Sequence, residues 1–140
     1  MVVVDGEGIP IGYHLDSASP AEVKLVEQTI ENISVPRMGP GRPKKRPERL
    51  IGDKAYDSDP LRDELKKKGI ELIAPHKKNR VKAPTQDGRK LRRYKRRWKV
   101  ERTFAWFNHF RRLVVRWDNL IGIYRAFFLV ACIMITIRRL

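Results

Sequence analysis

Four short apolar segments, each closed by a glycine, a proline or an aspartate, limit the folds that this chain can adopt. Residues 2–4 and 9–15 flank the turn sequence DGEG, which predicts a β-hairpin with Asp5 as a turn residue and not as a catalytic acid. Residues 49–53 and 70–74 have the length and apolar character of buried strands. Helical stretches lie between them, and the predicted order β-β-α-β-α-β-α-α indicates an α/β domain.

The first helix has a clear predicted start. Ser19 can cap it, Pro20 fits the first helical position and Glu22 completes a capping box, so a helix is predicted to about residue 33. The following segment, 35–47, holds four prolines, two glycines and five basic residues and is predicted to be an exposed loop.

Three further helices are predicted downstream. Asp59 is the expected cap of a helix that begins at Pro60 and ends near residue 68, before Gly69, and Asp57 is expected to form a turn. After a polar loop over 76–90, one long helix is predicted over 91–113 and another over 121–138.

Charge divides the sequence into two halves. Residues 1–74 contain 12 Lys and Arg against 13 Asp and Glu, whereas residues 75–140 contain 19 against 3, for a formal net charge of +15 in the whole chain. Such an asymmetric surface attracts polyanions, nucleic acid first, and a solvated basic face without a partner is the alternative.

The single cysteine and the apolar C-terminal segment bear on the cellular compartment. Cys132 has no second cysteine to pair with, which fits a reducing compartment. Residues 120–137 are at the short end of the length of a membrane span, Arg125 interrupts them, and Arg138 and Arg139 follow. A buried terminal helix and a cytoplasmic, nucleoid-associated protein are therefore predicted, with no membrane partner.

Two acidic residues stand out as candidates for chemistry. Asp53 lies just beyond the carboxyl end of a predicted strand, where α/β sheets place functional groups, although a turn or cap residue is the alternative. Glu101 lies within a segment, 89–102, in which nine of fourteen residues are basic. A salt bridge with Arg97, four residues earlier, is the simpler interpretation of Glu101.

Helical spacing predicts a polar stripe on the long helix. The stripe would carry one carboxylate among guanidinium groups, and its members recur at intervals of three, four and seven: Tyr94, Arg97, Glu101, Asn108 and Arg112. The apolar residues fall largely on other sides and are expected to bury against a sheet: Trp98, Phe104, Ala105, Phe107 and Leu113.

These residues resemble the signature of bacterial insertion-sequence transposases of the DDE type, whose catalytic core is RNase H-like. Tyr94, Arg97 and Glu101 match its spacing, and Asn108 stands where that signature has a basic residue. The stretches IGDKAYDS and VERTFAWFNHFRRL are also similar to the family's, and the similarity extends from about residue 4 to residue 140.

The resemblance implies a metal-dependent triad of two aspartates and a glutamate. Asp53 matches the second aspartate and Glu101 the glutamate, and both would bind Mg²⁺ or Mn²⁺ for attack on phosphodiester bonds. The residues expected to contact DNA at transposon ends and target are Tyr94, Arg93, Lys95, Arg96, Arg97 and Arg112.

The family's first aspartate has no counterpart in this sequence. It lies on a first core strand upstream of a segment like VVVDGEGIPIG, and Asp5 follows the pattern of the hairpin turn instead. The expectation is thus an incomplete RNase H-like core over 1–140, the C-terminal part of a transposase catalytic domain, followed by two C-terminal helices. A separately encoded upstream segment is an expected partner, and the complete protein is expected to be a homo-oligomer.

Two other functions remain open from the residues. A non-enzymatic, basic nucleic-acid-binding protein derived from a transposase would need no metal site. A small membrane-associated protein would use residues 120–137.

Overall fold

A computed structural model describes residues 1–16, 21–115 and 117–139. Ser19 and Pro20, the predicted start of the first helix, lie outside the described residues. The described elements combine small sheets with helices, which confirms a mixed α/β chain.

The N-terminal hairpin forms as predicted. Strands β1 (Val2–Val4) and β2 (Pro10–Tyr13) pair antiparallel, with Val2 opposite Tyr13. The Asp5 carboxylate accepts hydrogen bonds from the backbone amides of Glu7 and Ile9 at 2.8 and 2.9 Å. This aspartate therefore holds the turn, as its sequence context indicates.

A second pair of strands is parallel. Strand β3 (Arg49–Ile51) lies beside β4 (Glu71–Ile73), with Leu50 opposite Leu72, and helix α2 (Asp59–Lys67) connects them. A parallel pair requires such a crossover because its strands run in the same direction. In the described residues the two pairs form separate two-stranded sheets.

Helix α1 (Glu22–Glu31) joins the two sheets through one apolar core. Val26 and Ile30 are buried together with Leu65 of α2 and with the strands. The helix approaches β2 closely at Gly12, where a Cβ atom would lie 3.0 Å from the Thr29 carbonyl oxygen and 2.6 Å from Cγ1 of Ile33, just after the helix. Only glycine allows that approach without a shift of the backbone.

The predicted cap of α2 is wrong, whereas the predicted cap of α1 rests on Ser19, outside the described residues. Ala21 directly precedes α1 and makes no side-chain cap, and the Glu22 carboxylate accepts a hydrogen bond from the Tyr56 hydroxyl at 2.9 Å. Ser58, not Asp59, precedes α2, and the Asp59 carboxylate accepts a hydrogen bond from Arg80 at 2.8 Å. Local sequence favours capping, but these carboxylates bind hydroxyl and guanidinium groups that arrive from distant segments.

The end of α2 agrees with the prediction. The helix stops at Lys67, and Gly69 follows with a φ of +75°. That left-handed conformation suits glycine at the end of a helix.

The long helix predicted over 91–113 is wrong, because four shorter helical elements span this part of the chain. They are α3 (Gly88–Leu91), a 3₁₀ segment (Arg92–Arg97), α4 (Trp98–Phe107) and α5 (Arg111–Val114). The 3₁₀ segment has the sequence RRYKRR, in which a regular α-helix would place Arg92 beside Arg96 and Arg93 beside Arg97, like-charge pairs four residues apart that destabilise an α-helix.

Helix α6 (Ile121–Ile137) begins as predicted but is buried on one side only. Phe128, Ala131 and Ile135 pack with Phe107 of α4 in a second apolar cluster. No helix in the described parts of the chain is both long and apolar enough to cross a membrane.

Asp57 belongs to a buried ion-pair network, so its prediction as a simple turn residue is wrong. Its side chain is 2% exposed, and it accepts hydrogen bonds from Arg62 at 3.0 Å and from the Lys77 amide at 2.9 Å. The His76 Nδ1 atom lies 2.9 Å from the same carboxylate. The network fixes the start of α2 to the segment that follows β4.

We expect this network to make stability depend on acid pH. Burial alone would raise the pKa of Asp57, but hydrogen bonds from the Lys77 amide, Arg62 and His76 outweigh it and lower that pKa from 3.8 to about 2. A lowered pKa stabilises the fold above the unfolded value and loses that contribution as pH falls from about 4 through 2. The contribution is on the order of 2 kcal/mol at neutral pH.

Urea unfolding of wild type and Asp57→Asn between pH 2 and 7 tests this expectation. The variant should be less stable at pH 7, and the difference should shrink towards pH 2. Asp63→Asn, which changes an exposed carboxylate on α2, serves as the control. A stability difference that stays constant over this pH range would contradict the assignment.

Candidate functional site

A cleft of about 590 Å³ lies between the two sheets. Residues of β1 line one side and residues of β3 the other, and the cationic segment 96–100 also contributes to the lining. In the described residues β1 pairs only with β2, and β3 only with β4, so each of these strands has a second edge without a partner strand. Unpaired strand edges carry main-chain donors and acceptors that can pair with another extended segment.

Asp53 lines this cleft at the end of β3. The Gly52 amide still donates to the Ile73 carbonyl at 3.0 Å, and the chain then leaves the sheet. The Asp53 Oδ1 atom accepts a hydrogen bond from the Ala55 amide at 2.8 Å and caps a short 3₁₀ turn, Lys54–Tyr56. The predicted position of Asp53 beyond the end of the strand is confirmed, and its side chain also caps a turn, as the alternative interpretation expects.

Tyr56 brings a second acid to the same cleft. Its hydroxyl donates to Glu22, and both residues line the cleft together with Asp5. Burial, with the hydrogen bond to Glu22, raises the pKa of the Tyr56 phenol above its usual value. The phenol therefore stays protonated and remains a donor at neutral pH.

Arg97 links Asp53 electrostatically to Glu101. Its guanidinium donates to the Tyr94 hydroxyl at 3.1 Å and lies 2.9 Å from a Glu101 carboxylate oxygen. The hydrogen bond with Tyr94, followed by the charges of Glu101 and Asp53, raises the pKa of Arg97. Arg97 thus contacts both other residues that match the sequence signature, and it lines the same cleft as Asp53.

The two candidate carboxylates differ in their surroundings. Asp53 is half-buried in the cleft, whereas Glu101, in the first turn of α4, is 60% exposed and is not among the residues that line the cleft. Within the ranges that the structure describes, no group of three or more His, Cys, Asp or Glu residues is arranged to hold a metal ion. Carboxylate oxygens are suitable ligands for a hard cation, but these two supply only part of a coordination shell.

The predicted polar stripe is confirmed only for its first three members, Tyr94, Arg97 and Glu101. Helix α4 ends at Phe107, so Asn108 is its C-terminal cap and Arg112 lies on a different helix. The Arg112 guanidinium stacks 4.7 Å from the centre of the Phe127 ring and not beside Glu101. The break in the helix between 107 and 111 turns this arginine away from the stripe.

The predicted apolar face is also only partly buried. Phe107 is buried and Leu113 half-buried, but Trp98 and Phe104 are about half exposed, and Ala105 is exposed. Trp98 stacks against the Arg102 guanidinium, 4.6 Å from its ring centre. An aromatic ring paired with a cation need not be buried to be stabilised.

Three side chains of α4 that sequence analysis did not single out hold the hairpin turn. Lys99 donates to the Gly6 carbonyl, Arg102 to the Glu7 carbonyl at 2.9 Å, and Thr103 to the Gly8 carbonyl at 2.6 Å. Gly8 has a φ of +84°, and a Cβ atom there would lie 3.1 Å from the Thr103 hydroxyl. Contacts between residues 93 to 95 positions apart leave no signal in local sequence.

Several predicted phosphate-binding side chains are accessible. Arg93, Lys95 and Arg96 are exposed on the 3₁₀ segment, and Arg96 also lines the cleft. Arg93 lies 4.0 Å from Glu71, at the limit of an ion pair, and retains most of its freedom to bind an anion. An exposed row of cations beside a cleft that contains Asp53 is an arrangement that can hold a polyanion next to a carboxylate.

Comparison with known proteins identifies the chain's relatives. Residues 1–136 match the family model described as the transposase DDE domain. The chain is 36% identical, over 141 aligned positions, to a Burkholderia cepacia protein named as a candidate transposase for insertion sequence element IS402. The alignment covers 99% of this chain and 63% of that relative, so the chain spans less than two thirds of the protein it matches. No solved structure matches the chain.

Proposed function

Because the chain belongs to the transposase DDE domain family, we propose that it binds DNA and supplies two carboxylates to the cleavage and transfer of DNA strands. The observation that carries this proposal is the contact set around Arg97. Glu101 and Tyr94 bind its guanidinium directly, and Arg97 lines the same cleft as Asp53. Asp53 on the one hand, and Arg97 with Glu101 on the other, thus lie near the same cleft although about 50 residues separate them in sequence.

In the proposed complex, Asp53 and Glu101 hold Mg²⁺ or Mn²⁺, which supplies Lewis-acid chemistry at the scissile phosphate. Asp53 is positioned by the Ala55 amide, which leaves its second oxygen directed away from that hydrogen bond. Arg97 binds a phosphate oxygen, and Tyr94 orients the guanidinium for that contact. The exposed side chains of Arg93, Lys95 and Arg96 extend the contact along the DNA backbone, in the cytoplasm where nucleoid DNA lies.

We further propose that an extended segment of polypeptide from outside residues 1–140 fills the cleft. Unpaired edges of β1 and β3 line this space, and a strand between them would join both sheets into one, as an RNase H-like core requires. The longer relative has polypeptide outside the matched region that could supply such a segment. The same segment would bring the third carboxylate that the described residues lack.

A non-enzymatic DNA-binding protein derived from a transposase is the second candidate. The exposure of Glu101 and its ion pair with Arg97 favour it, because a carboxylate engaged in that way serves a structural purpose without any metal. A measurement of metal binding distinguishes the DNA-cleaving function from the non-enzymatic one.

We expect Mn²⁺ to bind weakly and to depend on Asp53. Asp53→Asn keeps the size of the side chain and its cap to the Ala55 amide but removes the charge, so affinity for Mn²⁺ should fall at least about tenfold. Electron paramagnetic resonance of free Mn²⁺ in a titration measures this directly. The matched control is Asp63→Asn, and equal Mn²⁺ affinity in Asp53→Asn and wild type would favour the non-enzymatic function.

DNA binding should be strongly salt-dependent. Each phosphate contact contributes a slope of about −0.9 to the plot of log affinity against log salt, so a triple change of Arg93, Arg96 and Arg97 to Gln should flatten that slope by about 2 to 3. Fluorescence anisotropy with labelled duplex DNA at 50 to 300 mM salt, a range chosen around physiological ionic strength, gives the slope. Changing Lys24, Lys66 and Lys67 to Gln removes the same charge elsewhere, and an equal loss in that control would mean that binding follows net charge and not this segment.

Residues 1–140 alone should not nick a transposon end efficiently with Mg²⁺ or Mn²⁺. We expect the isolated chain to be marginally stable and to gain order when the unmatched part of the Burkholderia cepacia relative is co-expressed with it. Hydrogen exchange should then slow at the amides of residues 2–4 and 49–51, where the added strand pairs. Robust nicking by the 140-residue chain that is lost in Asp53→Asn would overturn this expectation.

A further inference from the structure

Helix α6 carries two apolar stripes on opposite faces. The inner stripe packs on the rest of the domain through Phe128, Ala131 and Ile135. The outer stripe is exposed and follows the intervals three, four, three and four: Ile123, Ala126, Val130, Ile133 and Ile137. At about 100° per residue the centres of the two stripes are roughly 150° apart around the helix axis. Burial of the inner stripe therefore leaves the outer stripe open.

The outer stripe carries no charged residue, although the chain has a net charge of +15. Arg125 turns towards the domain and donates to the Tyr13 hydroxyl at 3.0 Å, and Arg139 stacks 4.3 Å from the centre of the Trp106 ring. Nucleic acid needs cations and finds none on this stripe. Two copies of so basic a protein repel each other through their net charge, so a contact between them requires a face that brings no like charges together.

The spacing of the outer stripe is also nearly symmetric about its centre. Ile123 and Ile137 lie seven residues before and after Val130, and Ala126 and Ile133 lie four before and three after it. An antiparallel pair of such helices places Ile123 of one copy against Ile137 of the other, and Val130 against itself. The small Ala126 then faces the large Ile133, which lets the side chains interdigitate.

We propose that this outer stripe of α6 is the contact surface for a second copy of the chain, with the two helices antiparallel and Val130 on the two-fold axis. Intervals of three and four are those of a two-helix seam, and an isologous dimer requires that one surface be complementary to itself. The proposal does not depend on the DNA chemistry, because the stripe shares no residue with the cleft.

The expected dimer is of modest strength. A helix of 17 residues is about 25 Å long, so one helix pair with its flanking residues buries less than the roughly 800 Å² per partner of a standard interface. We therefore expect the monomer and dimer of the 140-residue chain to exchange in the micromolar concentration range.

Sedimentation equilibrium of the full chain tests the proposal. Val130→Asp should weaken dimerisation at least about 30-fold, because it places two carboxylates against each other on the two-fold axis. Val114→Asp is the matched control, since Val114 of α5 is 57% exposed against 52% for Val130 and lies off the stripe. Val114→Asp should dimerise like wild type, and far-UV circular dichroism checks that both variants keep their helices.

A charge-pair rescue tests the register. Val130→Lys should also be monomeric alone, and an equimolar mixture of Val130→Lys and Val130→Asp should recover a dimer, since only this register places residue 130 of one copy against residue 130 of the other. A wild-type chain that stays monomeric to about 100 μM, well above the expected range for so small an interface, would overturn the proposal. So would a mixture that stays monomeric, or wild-type protein that is monomeric but floats with phosphatidylcholine vesicles in a Val130-dependent manner.

Discussion

The contact between helix α4 and the N-terminal hairpin determines where the candidate site residues lie relative to one another. Lys99, Arg102 and Thr103, on one turn of the helix, bind three successive carbonyls of the hairpin turn. Thr103 is almost fully buried at this contact, so loss of its hydroxyl would leave the Gly8 carbonyl unsatisfied away from water. Because Glu101 lies within this turn of α4 and Arg97 just before the helix, the same contact fixes their position relative to the hairpin, whose strand β1 lines the cleft that also contains Asp53.

The elements that sequence reasoning predicted are those whose physical cause is local. A glycine turn between two apolar segments determines the hairpin, and the conformational freedom of Gly69 ends α2. The position of Asp53 also follows locally, since Gly52 continues the parallel ladder for one residue and the chain then turns. Each of these features depends on neighbours within a few residues.

Features that depend on distant partners could not be predicted in the same way. Asp57 looks like a turn former, but its carboxylate is buried by Arg62 and His76, which arrive from α2 and from the segment after β4. The break near Asn108 allows both Phe107 and Phe110 to reach the cluster beneath α6. Periodicity alone favours one continuous helix there, because it cannot weigh tertiary packing against regular hydrogen bonding.

The charge balance around Arg97 connects the two parts of the proposed function. Two carboxylates and one guanidinium have a net charge of −1, and in the DNA-free protein Glu101 and Asp53 are the anions that act on this guanidinium. In the proposed complex Asp53 and Glu101 would hold a divalent cation, Arg97 would then be free to bind a phosphate oxygen, and the phosphate charge would offset the excess positive charge. Metal and DNA would therefore each favour binding of the other, since either one alone would leave an uncompensated charge among these side chains. The ion pair of Arg97 with Glu101 is in this view the resting arrangement of the site, and the Tyr94 hydroxyl keeps the guanidinium in place while its partner changes.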